Sequence, residues 1–72
     1  MVHTYAEYHS ANGPLCGDRS VVILDGRWSL SRCVEEAKDH ARTRLKGIDI
    51  THLRIGKGRF SDRRYVTELI AL

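Results

Sequence analysis

Leu30, Cys33, Val34, Ala37, Ala41 and Leu45 recur at spacings of three and four and fall within one arc of a helical wheel. Nothing else in this 72-residue chain constrains the fold as tightly, because such a stripe has to be laid against another apolar surface. Ser29 or Ser31 can cap the first turn by accepting from a backbone amide. Glu35, Glu36 and Asp39 precede Arg42, Arg44 and Lys46, an order that complements the helix dipole. Gly47 can close the helix in a left-handed conformation. Small Ala37 and Ala41 in the middle of the stripe let the helix sit close on a sheet, and Arg44 at its border snorkels outward.

The remaining segments read as strands. "HTYAEYH" has tyrosines and partial alternation, and "SANGPLCGD", with Asn12-Gly13-Pro14 and Gly17-Asp18, is the loop that follows it. "SVVILDG" is the clearest strand. Its four aliphatics predict cover on both faces, and Asp25-Gly26 ends it in a turn where the aspartate bonds its own backbone. "IDITHLRI" is β-branched enough for a third strand, after which Gly56-Lys57-Gly58 supplies a turn tolerant of positive φ. "RRYVTELIAL" fits either element, but Arg63 and Arg64 oppose a helix dipole at its N-terminus, so it is assigned to strand. The expected fold is a single α+β domain over residues 1–72, in the order β-β-α-β-β, with one amphipathic helix packed on an antiparallel sheet. One helix covers only one face of that sheet. A second copy or a partner buries the other face or the C-terminal edge, or else Leu15, Trp28 and the N-terminal tyrosines fill that face themselves; a second copy predicts a homodimer.

Composition excludes several classes. An apolar fraction of 42% and a charged fraction of 29% are globular values. No apolar run approaches the roughly 18 residues of a membrane span, and "MVHTYAEYHS" lacks the basic and apolar regions of a secretory signal, so the expected compartment is the cytoplasm. Two cysteines, Cys16 and Cys33, are too few for a disulfide scaffold. The net charge of +3 is uneven: residues 1–26 carry one basic and three acidic side chains, and the excess of cations belongs to the remainder.

Catalytic and metal signatures are not found. His9 and Cys16, and likewise Cys33 and His40, are seven residues apart, whereas zinc sites use pairs at closer spacing; on a helix seven residues rise about 10.5 Å, too far for a shared metal or a cysteine–histidine hydrogen bond. The nucleophile-elbow and zincin motifs are absent, and Glu35 and Glu36 diverge by about 100° around the helix and cannot act as a pair. The expectation is a non-enzymatic protein without metal or cofactor.

The remaining signal is "RIGKGRFSDRRY", residues 54–65. It departs from the Walker A motif, from the GXXG loop of KH domains and from the RNP1 signature of RNA-recognition motifs. What it holds is a set of cations, Arg54, Lys57, Arg59, Arg63 and Arg64, with Phe60 and Tyr65 between them; a turn at residues 56–58 would let Arg54 and Arg59 approach across the ladder. Lys38, Arg42 and Lys46 add a second stripe along the helix margin. These eight residues are the candidates for nucleic-acid contact, provided they share a face. Tyr65, Leu69 and Leu72 are the candidates for an apolar contact with a protein partner. The preferred expectation is stoichiometric binding to another protein. Small size and plain chemistry are familiar among accessory proteins of phages and mobile elements, including inhibitors of host defence, though no motif carries that likeness.

Overall fold

In the computed structural model, which describes residues 2–17, 19–59 and 61–72, alternation along two long strands sorts the side chains onto two faces of one sheet. β1 (His3–Ser10) and β4 (His52–Arg59) form the antiparallel centre, in register from His3 opposite Gly58 to His9 opposite His52. β1 pairs on its other side with the short β2 (Gly13–Pro14) and with β3 (Val21–Leu24). β4 pairs on its other side with β5 (Asp62–Tyr65) and, past a bend, with β6 (Ile70–Ala71). The helix α1 (Leu30–Arg44) lies across one face, which makes the molecule the α+β domain that its patterning predicts.

That face is the core. Ala6 and Tyr8 of β1 lie opposite Ile55 and Leu53 of β4, and all four are almost wholly removed from water beneath Cys33, Ala37, Ala41 and Leu45. Each of the larger ones contributes about 1.5–3 kcal/mol by burial. Tyr8 reaches furthest under the helix. Its hydroxyl donates to the Ala37 carbonyl at 2.9 Å and lies 3.2 Å from His40 Nδ1, with the two rings stacked. Burial pushes its phenol well above the ordinary tyrosine range. Ser29 caps the helix by accepting from the Arg32 amide, and Gly47 follows the C-terminus at φ 91°. No helix among the described residues is long and apolar enough to cross a membrane.

The strands differ from the expected ones in several places. There are six in the described residues, because Gly13–Pro14 extends the sheet within the first loop and the C-terminal segment is two short strands. Residues 66–69 bend because Ile55 turns its amide to the Thr67 hydroxyl (3.0 Å) and its carbonyl to the Val66 amide (2.8 Å). The strand expected over residues 48–55 is β4, which begins at His52 rather than at residue 48. Gly56-Lys57-Gly58 is not a turn: it lies inside β4, which runs on to Arg59 and pairs there with Asp62 of β5. Arg54 and Arg59 therefore share one strand, five residues apart, instead of meeting across a ladder. Lys46 lies beyond the helix end, and Leu30 is half exposed at its start. β3 is covered on one face only, leaving Ile23 50% exposed on an outer edge. The expectations at Asp18 and Phe60 lie outside the described residues.

Candidate hairpin groove and its buried carboxylate

The sheet face turned away from the helix carries Tyr5, Glu7 and His9, which alternate with the core residues of β1. Glu7 is only 5% exposed, and both of its oxygens are engaged. Oε1 accepts from Arg54 Nε (3.0 Å), lies 2.9 Å from Nη2 of the same guanidinium as an ion pair, and is bonded to His9 Nε2 (2.7 Å), so this imidazole carries a proton on Nε2. Oε2 accepts from Arg63 Nη1 and from the Tyr65 hydroxyl, both at 2.9 Å. Burial alone would raise the carboxyl pKa, but the bonds from His9, Tyr65 and Arg54 together outweigh it and hold the group below its ordinary value of 4.5. The Arg54 guanidinium also stacks 3.4 Å from the Tyr65 ring centre, and Arg63 lies 5.6 Å from that of Tyr5.

Register explains how distant residues reach this point. Glu7 faces Arg54 on β4, Tyr65 pairs with Gly56, and Arg63 pairs with Gly58, so all four side chains emerge on the same face. The two glycines keep that face clear. A Cβ on Gly56 would meet the Tyr5 ring at 2.5 Å, and Gly58 has φ 130°, where a Cβ would meet the Asp62 carbonyl at 2.6 Å.

Lys57, Arg59 and Arg64 take the alternate positions and line a groove of about 470 Å³ on the other side of the hairpin, together with Val2, Asp62 and Val66. Among the described residues, no carboxylate lies within ion-pair distance of these three cations. The hairpin cations expected to act together are thus divided between two faces: Arg54 and Arg63 bind Glu7, while Lys57, Arg59 and Arg64 border open space. Lys38 and Arg42 lie along the helix and Lys46 beyond its end, and none of the three lines the groove.

The candidate apolar contacts are also separated. Tyr65 is 41% exposed and borders the groove, but its hydroxyl belongs to Glu7. Leu69 and Leu72 are about half exposed at the far end of β4, where the Leu72 amide donates to the Thr51 carbonyl. Five residues of strand separate Thr51 from Gly56, the partner of Tyr65, or roughly 17 Å. Cys16 is exposed, Cys33 is buried, and both are free. No group of three His, Cys, Asp or Glu side chains converges among the described residues. Asp25 is the turn residue it was expected to be: the Arg27 side chain and then the Arg27 amide hold its carboxyl down at about 2.

Glu7 was missed in the sequence. It is an isolated acid in a strand of mixed polarity, and its partners are 2, 47, 56 and 58 residues away. Only the pairing of β1 with β4, and of β4 with β5, brings them to it.

These features define a class: a small α+β domain whose helix covers one sheet face, whose other face is closed by a buried carboxylate and its cationic partners, and whose hairpin presents a basic groove. No protein-family model, curated protein or solved structure matches the chain, so function has to be read from the residues themselves.

Proposed function

We propose that the protein is a small non-enzymatic module that associates stoichiometrically with a protein partner, and that it takes an acidic segment of that partner in the groove of the β4–β5 hairpin. The observation that carries this reading is the set Lys57, Arg59 and Arg64, unpaired with any carboxylate among the described residues and set beside the apolar Val2 and Val66. Cations over apolar ground match an acidic peptide better than they match a duplex, whose recognition rests on a row of phosphate contacts. Arg54 and Arg63 add nothing to such a row while Glu7 holds them. The acid–base groups of the Glu7 cluster do not favour an enzyme. Glu7 and His9 are only 5% and 7% exposed, and both carboxylate oxygens are engaged, so a substrate has no approach to them.

The test is a fluorescence-anisotropy titration of the full chain against a labelled glutamate-rich peptide, duplex DNA and single-stranded RNA, from about 50 mM to about 200 mM salt. Tightest binding to the peptide is expected, lost in Arg64→Glu and kept in Arg42→Glu. Tighter binding to either nucleic acid, with a steep loss in salt, transfers the groove to nucleic acid and overturns the proposal; no binding to any of the three overturns it as well.

A further inference from the structure

Beside the basic groove lies a smaller cavity of different chemistry. A pit of about 70 Å³ opens between the start of α1 and the sheet, lined by Trp28, Leu30, Cys33, Ile55 and Val66 together with Thr4 and Lys57. Lys57 and Val66 line both spaces, so groove and pit are neighbours that share a wall. Leu30 and Val66, at 47% and 49% exposed, form an apolar rim that water touches, while Cys33 and Ile55 form a floor that water does not. The Arg32 guanidinium lies 4.7 Å from the Trp28 ring centre and adds positive charge beside the aromatic wall.

We infer that this pit is the anchor socket of the groove: it takes one aliphatic side chain of the acidic segment whose carboxylates meet Lys57, Arg59 and Arg64. This rests on the groove reading and sharpens it, because the partner is then an acidic stretch carrying an aliphatic residue rather than negative charge alone. Charge complementarity selects the acidic segment, and the apolar floor selects what sits next to it. A space of this size has room for about two water-sized groups, which suits the two terminal methyls of a branched aliphatic side chain and not an aromatic ring. Among the described residues that line the pit, Thr4, Lys57 and the Trp28 indole offer strong hydrogen-bonding groups and the rest of the wall is apolar, so an inserted polar group would find few partners.

Trp28 is the only tryptophan in the chain, so its emission reports on the pit directly. The experiment titrates the full chain with two glutamate-rich peptides, one with a central leucine and one with serine in its place, following Trp28 emission and peptide anisotropy together. The leucine peptide is expected to bind about ten-fold tighter or better and to shift Trp28 emission, while the serine peptide binds without that shift. Val66→Ser, at a half-exposed position where folding is little affected, is expected to bring the two affinities together. Equal affinities and equal Trp28 responses in the unmodified chain, with binding still sensitive to salt, overturn the socket and leave the groove standing. Absence of binding by both peptides removes the groove and the socket with it.

Discussion

Replacing Glu7 with glutamine removes one charge from a face that holds two guanidinium groups, and the cost can be bounded from the geometry. Glu7 receives bonds from Arg54, Arg63, His9 and Tyr65 at 2.7–3.0 Å. Taking away one partner of a buried ionic network generally costs about 3–5 kcal/mol, mostly from the charge left behind. The Arg54 and Arg63 side chains keep 27% and 34% of their exposure, so water recovers part of that, and the lower end, about 3 kcal/mol, is the appropriate figure. For a domain of this size each kcal/mol moves the melting temperature by about 4–8 °C, so Glu7→Gln is expected to melt some 12–24 °C below the parent. Total stability at this length is of order 4–11 kcal/mol, so the variant folds but with a much smaller margin. Thermal unfolding followed by circular dichroism at neutral pH reads the shift. Amide hydrogen exchange locates it, with protection lost first in β5, all four residues of which are exposed and which Glu7 ties to β1. A Glu7→Gln protein that melts within a few degrees of the parent, with β5 amides equally protected, would refute the assignment of the hairpin's anchorage to this carboxylate.

Three further outcomes are expected. Gly56→Ala places a methyl group 2.5 Å from the buried Tyr5 ring and should cost about 1–3 kcal/mol, read by urea unfolding, whereas wild-type stability would mean that the ring yields. Because the folded Glu7 carboxyl titrates below 4.5, its contribution is complete above that pH and is lost as the pH falls through the lower folded value; acid unfolding curves should therefore steepen below about pH 4.5, and Glu7→Gln should remove that component, while an identical acid limb in both proteins would contradict it. The outer edge of β3 is apolar and has no strand partner among the described residues, so sedimentation at high micromolar concentration should give a dimer that Ile23→Lys converts to a monomer; a monomeric parent removes that edge from consideration.

What could be read from the sequence was whatever depends on local periodicity. The helix declares itself through the stripe from Leu30 to Leu45, and its Ser29 cap and Gly47 terminus are where the residue types place them. Asp25 behaves as an isolated turn does, because its partner Arg27 is two residues away. The hairpin was misread for the opposite reason. Two glycines around Lys57 look like a turn when only neighbours are considered, but their purpose lies on other strands: one admits the Tyr5 ring and the other avoids the Asp62 carbonyl. The cations of residues 54–64 could be counted but not sorted, since their faces depend on a register that a one-residue slip would invert.

That sorting links the two faces of the hairpin. β5 buries no side chain of its own, so hydrophobic packing does not hold it; its ladder to β4 and the bonds from Arg63 and Tyr65 to Glu7 do. Arg64 lies between those two residues and points to the groove, which means that the same two-residue period that feeds Glu7 also sets the groove's third cation. A substitution at Glu7 should then weaken peptide binding even though Glu7 lines no part of the groove, by freeing the strand that carries Arg64. Arg64→Glu, in contrast, should abolish binding and leave the melting temperature nearly unchanged, because Arg64 is exposed and pairs with no carboxylate among the described residues. On the proposed reading, stability and binding should be separable at Arg64 and coupled at Glu7, an asymmetry that would distinguish a groove built on the buried carboxylate from a basic hairpin tip that only solubilises the domain.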